Sequence, residues 1–137
     1  MGWGAVTIAN GLYDGCLELL GDITVTNLFT LGPKDGTVNG DLPNIVNVAG
    51  TNTISGPFNG TRGGADFVLR ADSGQLIISR PFVNGATTVA TYNMRLRGAA
   101  SGIFNGMADG TTANVKNTLY KQDSGTWTLT GASTYTG

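Results

Sequence analysis

Three stretches of the chain echo one another: SGPFNG from Ser55, SRPFVNG from Ser79 and SGIFNG from Ser101. They place Phe58, Phe82 and Phe104 at steps of 24 and 22 residues, and Trp127, which follows Ser124-Gly125 in the same manner, adds a step of 23. A second echo pairs DSGQLIIS (Asp72–Ser79) with DSGTWTLT (Asp123–Thr130), 51 residues apart. A third pairs GTNTISG (Gly50–Gly56) with GASTYTG (Gly131–Gly137), 81 apart. Self-similarity at a period of about 20–50 residues is the signature of a chain that stacks copies of one small unit. The first echo fits a period near 23 and the other two a period near 26, so the three do not mark one register.

Between the echoes run short alternating segments: DITVTN, NIVNVAG, DFVLRAD, QLIISRPF, TVATYNMRLRG and TWTLTG. Alternation of apolar and polar residues, with β-branched and aromatic side chains, describes half-buried strands. The best helical candidate, CLELLGD, spans seven residues and is broken by Gly21, too short to stand as a helix. Asn-Gly pairs at Asn10, Asn39, Asn59, Asn84 and Asn105 are turn signals, and taken alone they would suit the antiparallel hairpins of a β-sandwich. The repeats favour another all-β architecture, a parallel β-helix with three short strands per rung. Inward ladders of Phe, Val, Ile and Leu would fill it, with Thr, Ser and Asn outside. At about 4.8 Å per strand, five or six rungs would make a column roughly 25 Å tall. Phe58, Phe82, Phe104 and Trp127 are expected inward, with Ile54, Leu76, Ile78, Leu96 and Leu129 also buried.

Composition narrows what such a column could do. At 137 residues the chain suits a single domain, 1–137. No histidine is present and Cys16 is the only cysteine, which removes histidine-based nucleophile systems, cysteine zinc clusters and an intrachain disulfide. A net charge of −1 gives no reason to expect nucleic acid as a partner. No apolar run is long enough to span a bilayer as a helix. The opening MGWGAVTIANG lacks a charged segment followed by an apolar one, so any export signal is expected outside these residues. Charge is distributed unevenly. Through Thr61 one base, Lys34, meets five acids, giving −4, and from Arg62 onward seven bases meet four acids, giving +3.

The closing stretch, YKQDSGTWTLTGASTYTG (Tyr120–Gly137), resembles the autotransporter-associated β-strand repeat found in passenger regions of bacterial surface proteins. Lys121, Gly125, Thr126, Trp127, Thr128, Leu129, Gly131, Thr134, Tyr135 and Gly137 match its pattern. Asp123 stands where Gly is common and Ser133 where Asn is usual. Looser matches are ITVTNLFTLG, NIVNVAGTNTISGPFNG and SGIFNGMADG. The resemblance implies a right-handed parallel β-helix, an extracellular or cell-surface location, and a structural or adhesive role as stalk, spacer or passenger. It implies no catalytic residue.

Candidate chemistry is thin. Asp72 and Asp123, two rungs apart on one ladder, would lie about 10 Å from each other, marginal for an inverting glycosidase pair. Both begin a D-S-G turn, where Asp is expected for conformational reasons alone. RGGADFV (Arg62–Val68) partly matches a calcium-binding β-helix repeat but occurs once, and Asn59-Gly60-Thr61 fits a glycosylation pattern that a turn explains as well. Arg95 and Arg97 alternate with Met94 and Leu96 and read as a solvated strand face, with a basic site for an acidic sugar as the alternative. Neither a catalytic residue, a cofactor nor a metal ligand is expected. Expected partners are further rungs, from neighbouring repeats or from copies stacking head to tail through open ends as a filament, with surface glycans a further candidate.

Overall fold

The computed structural model describes residues 4–9, 15–34, 42–61 and 65–137. Every regular element among them is a strand, and the fifteen strands form three parallel five-stranded sheets. The first sheet stacks β1 (Val6–Ile8), β4 (Phe29–Leu31), β7 (Phe58–Gly60), β10 (Phe82–Asn84) and β13 (Met107–Ala108). The second stacks β2 (Leu17–Leu20), β5 (Ile45–Ala49), β8 (Asp66–Ala71), β11 (Thr91–Arg97) and β14 (Lys116–Lys121). The third stacks β3 (Thr24–Val25), β6 (Thr51–Ile54), β9 (Gln75–Ile78), β12 (Ser101–Phe104) and β15 (Trp127–Leu129). The chain visits first, second and third sheet in turn and then repeats, which is a β-solenoid of about four full turns. With five strands per sheet the column measures about 19 Å from first strand to last. Among the described residues no antiparallel hairpin forms at an Asn-Gly pair, and every pairing between named strands is parallel.

In-register pairing turns the alternating sequence into ladders. Val6, Phe29, Phe58, Phe82 and Met107 stack in the first sheet. Leu17, Ile45, Leu69, Leu96 and Lys121 stack in the second, and Val25, Ile54, Ile78, Phe104 and Leu129 in the third. The three rows converge on one core, where Phe58 lies 6.2 Å from Phe29 and 5.8 Å from Phe82 between ring centroids. Phe67 comes in from the second sheet at 4.8 Å from Phe82 and 6.0 Å from Tyr92. Each such aromatic pair adds about 0.5–1.5 kcal/mol beyond its burial.

Register corrects part of the sequence reading. Phe58 and Phe82 share a ladder, whereas Phe104 belongs to the third sheet, between Ile78 and Leu129. The echo misleads because S-G-x-F occurs in two settings. In SGPF it is the corner leading from β6 into β7; in SGIF it is β12 itself. Trp127 stacks on Gly102 and is only partly buried, with its ring occupying the space a Cβ at Gly102 would need. Ile54, Leu76, Ile78 and Leu96 are buried as expected, but Leu129 is 46% exposed, because it lies in the last described strand of its sheet. The 51-residue echo is structural: Leu76 and Trp127 both pair with Gly102, one on each side. The 81-residue echo is not, since Gly50–Gly56 covers β6 of the third sheet whereas Thr134 bridges to Ala108 of the first.

One corner shows why glycine recurs. Between second and third sheets the chain turns through positive φ at Gly50 (78°), Gly74 (72°) and Gly98 (103°), and at Asp22 (57°) and Asp123 (63°) in the first and last rungs. A Cβ on Gly98 would stand 2.0 Å from the Ala71 carbonyl oxygen of the rung beneath, so stacked corners leave no room for a side chain. Asparagine does complementary work inside. Buried Asn47 donates from Nδ2 to the Gly50 and Ser73 carbonyls (3.0 and 2.6 Å) and accepts from Asn52 Nδ2 at 2.7 Å. Buried Asn84 donates to Asn117 Oδ1 at 2.8 Å and accepts from the Ala86 N–H at 3.0 Å. Corner backbone groups that no strand pairs are thereby satisfied. Asn10 and Asn39 lie outside the described residues.

Candidate functional site

Charged side chains converge on the outer face of the second sheet. Its outward rows read Asp66–Asn93–Thr118, Val68–Arg95–Tyr120 and Val46–Arg70–Arg97, because alternate residues of β5, β8, β11 and β14 must face away from the core. Asp66, at the start of β8, is buried, with 1% of its side chain exposed. Its Oδ1 accepts from Asn93 Nδ2 at 2.7 Å and lies 3.0 Å from Arg95 Nε, an ion pair without hydrogen-bond alignment at that nitrogen. Asp66 Oδ2 has no hydrogen-bond partner. The Arg95 guanidinium also sits 5.6 Å from the Tyr120 ring centroid and donates weakly to Gln122 Oε1 at 3.4 Å. Arg95 is therefore half-buried between a carboxylate and an aromatic ring, where the alternation suggested a solvated face.

Arg70 and Arg97, in the adjacent row, each hold a corner aspartate. Arg70 Nε is 2.9 Å from Asp72 Oδ1, and Arg97 Nε is 3.3 Å from Asp123 Oδ2. Asp123 also accepts the Gly98 N–H at 2.9 Å. That backbone donor, with the Arg97 guanidinium, holds the Asp123 carboxyl below the usual carboxylate range. The carboxylates tested as a glycosidase pair thus occupy equivalent corners two rungs apart, each neutralised by its own arginine.

Other candidates fare similarly. Asp66 of RGGADFV faces Arg95 rather than open space for a cation, and Arg62–Gly64 of that motif lie outside the described residues. No group of three His, Cys, Asp or Glu side chains that could hold a metal occurs among the described residues. Asn59 lies in β7, half-buried. The exposed Cys16 thiol is pushed up by partial burial and then by Glu18, the opposite of what activates a nucleophile. No helix among the described residues is long and apolar enough to cross a membrane. The buried Asp66–Arg95 pair was not legible as such, since its partners come together only through the β8–β11 register; an acid directly before the apolar run Phe67–Leu69 was the available signal. Compared with known proteins, the chain matches no family model, and no curated protein or solved structure is significantly similar to it.

Proposed function

We propose that this chain is a structural β-solenoid segment of a bacterial secreted or surface-exposed protein, serving as stalk, spacer or adhesin passenger without catalysis of its own. The observation that carries the reading is how the charged groups are used. Asp66, Asp72 and Asp123 each meet an arginine of the same face, and apolar ladders fill the interior. Nothing in this arrangement resembles a pair of titrating groups poised around a substrate. The surface location rests on the resemblance of Tyr120–Gly137 to the autotransporter-associated repeat. Antibodies raised against the purified chain are expected to label intact, unpermeabilised source cells or their medium. Labelling that requires permeabilisation would sink the surface assignment. Turnover on a polysaccharide panel that disappears in Asp72→Asn or Asp123→Asn would sink the structural one.

A further inference from the structure

Among the four described arginines, Arg70, Arg95 and Arg97 face aspartates, whereas exposed Arg80 has no ion pair or hydrogen bond with any described residue. Arg80 lies in the corner between β9 and β10, immediately before Pro81, and Pro57 occupies the corresponding corner one rung earlier. Both prolines are exposed, although the rings beside them, Phe58 and Phe82, are buried. Beyond this corner the outer face of the first sheet sets Val83, 38% exposed, in register with Asn59. Together Pro57, Phe58, Asn59, Arg80, Pro81 and Val83 line an open groove of about 350 Å³.

We propose that this corner binds an acidic oligosaccharide lying along the column axis, with Arg80 pairing with a sugar carboxylate. The groove supplies three complementary elements. Pro57, Pro81 and Val83 form an apolar floor for the C–H face of a pyranose ring. The Asn59 side chain offers an amide donor and acceptor for hydroxyls. Arg80 presents an exposed guanidinium without a partner among the described residues, whose planar fork matches a carboxylate with two parallel hydrogen bonds. Spacing favours a sugar chain over an acidic peptide. Successive rungs repeat at about 4.8 Å, comparable to one pyranose ring, whereas like-facing side chains of an extended peptide recur at about 6.6–6.8 Å. The proposal gives a ligand to the surface role above and rests on that reading only for its biological setting, since cell labelling tests the location and a titration of the purified chain tests the groove.

The test is calorimetric or NMR titration of the full chain with a galacturonic acid hexamer, with uncharged cellohexaose and a glutamate hexapeptide for comparison. Binding of the acidic sugar is expected, weakening as salt rises. Arg80→Gln should weaken it about tenfold or more, the scale of a lost charge-assisted hydrogen bond. Pro81→Ser should weaken it less, and Lys116→Gln, an exposed cation on the second sheet, should leave it unchanged. Circular dichroism confirms that each variant keeps its strands. The proposal is overturned if the wild-type chain does not bind the hexamer at millimolar concentration. It is equally overturned if Lys116→Gln weakens binding as much as Arg80→Gln, or if cellohexaose or the peptide binds as tightly as the acidic sugar.

Discussion

Asp66 carries a carboxylate to a place where almost none of its side chain meets water, and Arg95 with Asn93 makes that tolerable. Removing one partner of a buried pair leaves an uncompensated charge. Arg95→Ala is therefore expected to lower unfolding free energy by about 3 kcal/mol, and the double variant Asp66→Asn/Arg95→Met should recover most of the loss in a denaturant titration. Asp109 makes a second residue-scale case. Partial desolvation pushes its carboxyl up, but the Thr136 hydroxyl and the backbone N–H groups of Asn117 and Thr136 outweigh this and hold it below the usual range. Its folded pKa thus lies under its unfolded one. The stabilisation is complete above the ordinary carboxylate pKa and is lost as pH falls through the depressed value. Hydrogen exchange at the Thr136 amide should accelerate on acidification relative to the core, and Asp109→Asn should raise it at neutral pH and abolish the dependence. An acid-independent Thr136 amide in the wild-type chain would contradict this.

At the scale of elements, the same residue type counts differently according to its place in a row. Leu96 is enclosed by Leu69 below and the last rung above, whereas Leu129 ends its row and is 46% exposed. Truncation to Ala should cost about 2–5 kcal/mol at Leu96 and under about 1 kcal/mol at Leu129. Equal losses in thermal unfolding would mean that the terminal rung is covered in solution. The strands themselves were legible, because alternation such as Thr91–Arg97, where Tyr92, Met94 and Leu96 are buried, has one physical reading, a pleated surface with one face on the core. Their assignment to sheets was not. Phe104 is buried as expected, but its echo with Phe58 and Phe82 does not put it on their ladder, where Met107 stands. A corner and a strand start share the residues Ser and Gly, and only pairing with the neighbouring rung tells them apart. Rung length varies for the same reason. The step from Phe29 to Phe58 is 29 residues, and that from Phe58 to Phe82 is 24, the difference falling largely in the connection between β4 and β5.

For the whole molecule, the first and last described rungs have strands paired on one side only among the described residues, and exposed apolar groups stand there: Leu20 at 66% and Ile23 at 40% in the first, Tyr120 and Leu129 at 46% in the last. Glu18 and Asp22 lie in the first rung, and Lys116 and Lys121 in the last, where Asp123 is paired with Arg97. The isolated chain is expected to associate end to end with rising concentration, and less so with added salt, as charges facing across an exposed contact are screened. Sedimentation at low and high ionic strength checks this, and a monodisperse monomer at high concentration and low salt would refute it. The all-β character and the stacked-repeat architecture followed from sequence alone, because period-2 alternation, turn residues and a recurrence near 25 residues are properties of the chain read in order. Tertiary structure decided which row each ring joins, that Arg95 closes on Asp66 rather than on water, and that Arg80 alone among the described arginines has no partner among the described residues. Each of these depends on which residue of one rung lies over which residue of the next. That offset sums every corner and loop between them, and no local pattern encodes it.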